Sequence, residues 1–217
     1  MYNILRNKKI LITAGPTREY IDPVRFISNE SSGKMGYAIA EALHKLGADV
    51  YLVSGPVTIT TSFPQEKIKA ILTAKEMYQE CKTLFSEIDI AIFCAAVADY
   101  TPKEVSEIKI KKIEDETTLV LKKNVDIALE FGKIKTEQQK SIGFALETNN
   151  ILENAKAKLD KKNFDLIVVN SPNKNEGFGY DTNKISILTK NLALTEYALK
   201  NKHEVALDIV KVVEDII

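Results

Sequence analysis

The stretch Asn29-Glu30-Ser31-Ser32-Gly33-Lys34-Met35-Gly36 is the most chemically informative part of the sequence. It precedes a run rich in Ala, Met, Ile and Leu from Gly33 to Leu46, which reads as a helix stopped by Gly47. The first amides of a helix have no intrahelical partner and sit at the positive end of its dipole, so they suit an anion. Gly33 lets a ligand approach the backbone, and Gly36 lets the helix lie close on a sheet. The plainer reading makes Ser31 or Ser32 an ordinary N-cap. Walker A spacing is absent, and no Gly-x-Gly-x-x-Gly follows the first apolar run.

Other groups could join this site, each with a plainer alternative. The planar fork of Arg25 can clamp a carboxylate or a phosphate, or it is a solvated loop charge. Ala95-Ala96-Val97-Ala98-Asp99-Tyr100 follows a buried apolar run. Its small side chains leave room for a flat ring or a reacting group. Asp99 can accept from a ribose or base amine, or it caps a turn. Lys109 and Lys111 share a face if extended. They form either a flap that closes over a triphosphate or the guarded edge of a sheet. Lys158 and Lys162 share a helix face, as a solvated stripe or a phosphate-facing pair. His44 and His203 lack metal-ligand spacing and read as structural. Neither a Cys/His zinc cluster nor a Gly-x-Ser-x-Gly elbow occurs.

The elements that must position these groups alternate. Strands are predicted at Lys9 to Thr13, Asp49 to Val53, Lys67 to Leu72, Ile88 to Ala96, Ser141 to Leu146, Asp165 to Asn170 and Lys184 to Leu188. Besides the first helix, Ala74 to Phe85, Val125 to Phe131, Asn150 to Lys162 and Glu196 to Val213 read as helices. Glu107 to Lys123 mixes Lys and Glu with alternating Ile and Val, which predicts two exposed strands or a hairpin. Ser171 to Asn183 reads as a loop. This order argues for an α/β, doubly wound, mostly parallel sheet with helices on both faces, in which ligands bind beyond the carboxyl ends of the strands.

The 217 residues are 45% hydrophobic and 28% charged, with 30 Lys+Arg against 30 Asp+Glu. A zero net charge removes the footprint of a general nucleic-acid binder. Two cysteines, Cys81 and Cys94, do not make a disulfide framework, and Cys94 reads as a small buried hydrophobe. No signal-peptide core or membrane-length apolar run is present, so a cytoplasmic protein without a membrane partner is expected.

In order along the chain, these pieces resemble the phosphopantothenate–cysteine ligase family of coenzyme A biosynthesis. The resemblance is carried by Ile12 to Glu19, Ile21 to Ile27, Ser28 to Gly36, Leu52 to Pro56, Cys94 to Tyr100, Lys109 to Lys112, Lys123 to Ile127, Gly143 to Thr148 and Phe178 to Asn183. The Asn-x-Ser-Ser-Gly-Lys-Met-Gly and Ala-Ala-Val-Ala-Asp stretches are its most specific parts.

The resemblance implies a Rossmann-like fold and a two-step reaction. The carboxylate of 4′-phosphopantothenate attacks the α-phosphate of CTP, carried with Mg²⁺, to give an acyl-cytidylate. The amine of L-cysteine then displaces CMP. It also implies a single ligase domain over 1–217 with a flap at 107–123, a homodimer with that flap as candidate contact, and a monofunctional enzyme lacking a fused flavin-dependent decarboxylase.

By the same resemblance, Asn29 and Arg25 serve the acyl site, with Gly33, Lys34, Met35 and Ala96 around the substrate. Phe93, Cys94, Ala95, Asp99, Lys109, Val125, Asp126, Ile127, Ala128, Phe144, Lys158 and Lys162 serve the nucleotide. Val125 stands where many relatives have Pro, and Leu146 where many have Ala; both bear on nucleotide preference, CTP or ATP.

Two other classes share this fold. A nicotinamide-dependent reductase would explain the strand–helix order, but the missing Gly-x-Gly-x-x-Gly counts against it. A non-catalytic module would bind nucleotide without releasing pyrophosphate.

Overall fold

A computed structural model describes residues 4–111, 116–146, 150–170 and 180–217. Its centre is an eight-stranded sheet. In chain order the sheet strands and helices are β1 (Lys9–Ala14), α1 (Lys34–Lys45), β2 (Asp49–Ser54), β3 (Ile68–Ala70), α2 (Ala74–Leu84), β4 (Ile90–Phe93), α3 (Ile127–Ile134), β5 (Lys140–Leu146), α4 (Ile151–Lys161), β6 (Leu166–Asn170), β7 (Ile185–Thr189), β8 (Leu194–Glu196) and α5 (Lys202–Asp215). The spatial order is β3-β2-β1-β4-β5-β6-β7-β8. Neighbours from β3 to β6 run parallel, and β7 and β8 are antiparallel. The order reverses between β1 and β4, which is where a doubly wound sheet opens a crevice.

The central strands are apolar on both faces because helices cover both faces. Ile10, Ile12, Ile90, Ile92, Leu166 and Val168 pack with α1 and α5. Their neighbours Leu11, Ala91, Phe93, Ile167 and Val169 point the other way, among side chains of α2, α3 and α4. This is the two-residue period of a strand. Phe131 on α3 ties the second layer together, with ring centroids 4.4 Å from Phe85, 5.5 Å from Tyr78 and 6.0 Å from Phe93.

Two predicted elements differ. The 107–123 segment does not pair with itself among the described residues. Leu121–Lys123 pairs with Tyr100–Pro102 instead, directly after the segment that leaves β4. Its alternating Ile and Val are exposed, with Ile108 at 76%, so the alternation does not mark a sheet face. Residues 112–115 lie outside the described residues, as do 171–179 of the predicted loop. The last helix starts at Lys202 because Asn201 and Glu204 form a reciprocal capping box, and Glu196 belongs to β8. A short hairpin, Arg18–Tyr20 with Phe26–Ser28, was not expected.

Candidate active site

The carboxyl ends of β1, β4, β5 and β6 frame two adjoining cavities. The first, about 190 Å³, is bounded by the start of α1 (Ser31 to Gly36), by Cys94 to Ala96 after β4, and by Phe144 to Leu146 on β5. Asn170, Asn183 and Lys202 complete it. The second, about 160 Å³, lies between the segment after β4 and the start of α3, lined by Phe93, Asp99, Asn124 to Ala128, Phe144 and Lys162 among others. Ala95 and Phe144 line both.

The α1 start is built by Gly33, which is the N-cap and takes φ 74°. A side chain there would be strained, and its Cβ would meet Val57 at 2.7 Å. Gly36 sits so close to β1 that a Cβ would fall 2.6 Å from that of Ala14. No side chain caps the helix. Ser31 Oγ instead accepts from the Gly33 N–H at 3.3 Å, so neither serine is the N-cap. The first-turn amides therefore face the first cavity without a side-chain acceptor.

The segment after β4 is held beside β1. Ala95 N–H donates to Thr13 Oγ1 at 3.3 Å, Ala96 N–H to Gly15 O at 2.9 Å, and Ala98 N–H to Thr17 Oγ1 at 3.1 Å. Asn29 is exposed and its Nδ2 donates to Ala96 O at 3.1 Å, so the α1 loop and this segment are joined at the rim of the first cavity. On the far side, Asn124 Nδ2 donates to Ala98 O at 3.1 Å.

The start of α3 is differently equipped. Asp126 caps it, accepting from Leu129 N–H at 3.1 Å, and pairs with Lys162 Nζ at 2.9 Å. Its carboxylate is thus already engaged. Lys162, at the end of α4, brings the ammonium to the wall of the second cavity. Lys158 does not line it, so the two lysines of one helix face divide. Lys162 is the C-cap, past the last helical residue, and its ammonium is held by Asp126.

Three other sequence-based placements change. Cys94 is half-buried against the first cavity rather than a closed core residue, and burial pushes its thiol up to about 12. Arg25 and Lys109 line neither cavity. Arg25 is bound by Asp22 through Nε at 2.9 Å and through Nη2, and Nη2 also donates to Ile110 O at 3.0 Å. Asp22 is fully buried and accepts from the amides of Val24 and Arg25, and from Ile110 N–H at 3.2 Å. The Arg25 guanidinium holds its carboxyl well below the usual carboxylate range. Lys109 is exposed beside this anchored residue. Lys34 lines the first cavity and pairs with Asp181 at 2.5 Å.

The sequence reading did not single out Thr13, Asn124, Phe164, Asn183 or Lys202, all of which line the cavities. Asn170 ends a predicted strand, where a ligand is expected beyond the carboxyl end, and it lines the first cavity. The others come from chain-distant segments. Among the described residues, no three His, Cys, Asp or Glu side chains converge as a metal cage.

With this geometry the chain can be set against known proteins. A bifunctional coenzyme A biosynthesis protein, CoaBC of Haemophilus influenzae, is 47% identical over 206 residues, covering 95% of this chain and 51% of its own length. A protein of an unknown prokaryotic organism named cysteine/cysteine sulfinic acid decarboxylase is also 47% identical, over 208 residues, covering 95% of this chain and 58% of its own. The chain thus spans little more than half of these relatives. The crystal structure of the C-terminal domain of a CoaBC protein is 40% identical and superposes with a TM-score of 0.82, covering 99% of this chain and 98% of that one. The family model described as the DNA/pantothenate metabolism flavoprotein C-terminal domain matches residues 5–216, and the chain belongs to that family.

Proposed function

We propose that the chain is a phosphopantothenate–cysteine ligase that uses CTP. The observation that carries this reading is the shared wall: Ala95 and Phe144 line both cavities, so a ligand in each would meet there. A ligation through an activated carboxylate needs that arrangement, one pocket for the acid and one for the nucleotide, with reacting groups in contact. The name of the 47% identical CoaBC protein supports the same pathway.

The acid occupies the first cavity with its carboxylate toward Ala95, and the nucleotide occupies the second. The carboxylate oxygen attacks the α-phosphorus, a P–O bond breaks, and pyrophosphate leaves. The cysteine amine then attacks the acyl carbon. The C–O bond to CMP breaks, an amide forms, and the amine loses a proton. No covalent bond to the protein is required. The chain's part is orientation and charge stabilisation: amides of the α1 start toward an anion, Asn29 Nδ2 at the acyl rim, and Lys162 toward nucleotide phosphate. Mg²⁺ suits a triphosphate and takes few protein ligands, keeping its waters. Its charge would offset that of the departing pyrophosphate. Asp99, exposed at the second cavity, is placed for a ribose or base donor. Arg25 and Lys109 act at the rim, from the 107–123 segment and its anchor. Apolar exposure at Phe26, Ile108, Ile110 and Val120 supports pairing of two copies through this side. No helix among the described residues is long and apolar enough to cross a membrane, and a cytoplasmic setting fits the substrates.

The test is pyrophosphate release with Mg²⁺, 4′-phosphopantothenate and either CTP or ATP, with and without cysteine. Release that requires phosphopantothenate, followed by CMP and the cysteine adduct once cysteine is added, is expected. Carbon dioxide from cysteine without nucleotide would instead favour the activity in the name of the other relative.

A further inference from the structure

Asn124 closes a joint to which the proposed chemistry gives no part. It follows the strand Leu121–Lys123, whose Lys123 pairs with Tyr100. Its own N–H donates to Asp99 O at 2.8 Å. Its Nδ2 donates to Ala98 O at 3.1 Å, and its Oδ1 accepts from Val125 N–H at 3.1 Å. One half-buried residue therefore grips the segment leaving β4 by two carbonyls and the entry to α3 by an amide. Both ends of its side-chain amide are engaged with backbone, so its work is to hold other residues in place.

The two segments it joins are the walls between which the second cavity lies, Val97 to Asp99 on one side and Val125 to Ala128 on the other. The Ala98 peptide is held at both ends. Its N–H donates to Thr17 Oγ1 at 3.1 Å, and Thr17 is fully buried where the chain leaves β1. The wall that carries Asp99 is thus fixed to the sheet, and Asn124 sets how far the α3 wall stands from it. The space between them is about 160 Å³, with the rings of Phe93, Phe144 and Phe164 in its lining. Aromatic rings suit a planar base. A slot with tied walls admits a single ring more readily than a fused pair, which separates a pyrimidine from a purine.

We propose that Asn124 sets nucleotide choice: by tying Ala98 and Asp99 to Val125, it holds the second cavity at the width of a pyrimidine nucleotide and against a purine one. Placing the nucleotide in this cavity rests on the ligase reading. Asn124 adds what that reading lacks, a physical reason for CTP to be favoured over ATP. The residue acts through the walls it joins, as a positioning residue. Discrimination needs a pocket that resists the wrong ligand as well as one that fits the right one, and a wall free to move would give way to the larger base.

The experiment is calorimetric binding of CTP and of ATP, each with Mg²⁺ and without phosphopantothenate, to the wild type, Asn124→Ala and Asn124→Asp. Folding of each is checked by thermal unfolding. Asn124→Asp keeps the shape and the acceptor for Val125 N–H but turns an oxygen toward the Ala98 carbonyl. The wild type is expected to prefer CTP, and both variants to lose about five- to tenfold of that preference, the worth of one hydrogen bond. In turnover assays the KM for 4′-phosphopantothenate stays unchanged. A merely structural role would weaken both nucleotides equally and leave their ratio alone; that result overturns the assignment, as does a folded Asn124→Asp that keeps the wild-type ratio. A wild type that binds CTP and ATP alike overturns it too, while pyrophosphate release that depends on phosphopantothenate would keep the ligase reading. A wild type with the preference but no acyl-nucleotide formation sinks the ligase reading and leaves Asn124 standing. A wild type that binds neither nucleotide removes both.

Discussion

The side-chain amide of Asn29 donates to the carbonyl of Ala96 at 3.1 Å, which joins the loop entering α1 to the segment leaving β4. The bond lies where the α1 cavity and the Ala95 wall meet, so Asn29 positions the rim, and under the proposed ligase reading its amide serves the acyl group there. Asn29→Asp replaces the donor with a carboxylate facing a carbonyl oxygen. Turnover of the acyl-cytidylate by cysteine is expected to fall by about tenfold or more, the order of one lost charge-sensitive hydrogen bond. Stopped-time assays of adduct formation check this, and parental turnover would refute the role.

Lys162 is expected to act on the nucleotide alone. Its side chain is about a quarter exposed, pairs with Asp126, and lines the second cavity but not the first. Lys162→Met should raise the KM for CTP about 10- to 100-fold, the loss of one charge-assisted contact, with binding of phosphopantothenate unchanged. Steady-state kinetics with each substrate varied in turn give the answer. Lys158→Met, off the cavity wall, should change little.

The anchored segment around Ile110 predicts a dependence on Asp22. The Asp22 carboxyl is lowered by Arg25, so its contribution to stability is present at neutral pH and is lost as pH falls below the ordinary carboxylate value toward the folded one. Asp22→Asn should therefore lower the Tm by a few degrees at pH 7, and the gap should begin to narrow only below about pH 4. Melts at pH 7, 5 and 3.5 measure it. A gap that widens in acid would contradict the sign.

Lys109 projects from the same anchored segment. Lys109→Gln should slow pyrophosphate release by about one to two orders, as expected when a cation near developing charge is removed, without moving the Tm. An unchanged burst of pyrophosphate in rapid-quench experiments would exclude Lys109 from activation.

Phe131 links the aromatic layer to Phe93 and hence to the wall of the second cavity. Phe131→Ala should cost about 3–5 kcal/mol by cavity formation. Chemical denaturation reports the loss. Nucleotide affinity should weaken more than acid affinity, because Phe93 borders only the nucleotide side.

Much of the architecture could be read from single residues. Ile90 to Phe93 is apolar at every position, which only a strand covered on both faces explains, and Gly33 and Gly36 marked a helix start pressed on a sheet. Of the two exposed strands or hairpin expected at 107–123, Leu121–Lys123 is an exposed strand, but among the described residues it pairs outside the segment. Its pairing partner, Tyr100–Pro102, is set by where the chain leaves β4. The end of the chain was misread for a local reason. Glu196 and Lys202 both suit a helix, but the Asn201–Glu204 box decides where it begins.

The chemistry was only partly legible. Asn29, Lys34, Ala95 and Asp99 stand in motifs whose residue types announce small, polar or charged work. Asn183 and Lys202 do not, since each is an ordinary residue in its own neighbourhood. By itself, the sequence determined the alternation of strands and helices, the two-faced core, and the side chains available just beyond each strand. The tertiary structure decided which of those ends meet. β4 lies beside β5 with Phe93 opposite Gly143, so Ala95 and Phe144 share a wall. The order reverses at β1 and β4, so α1, α3 and α5 converge on that wall from different directions. That convergence is set by packing among segments far apart in the chain, and no local pattern encodes it.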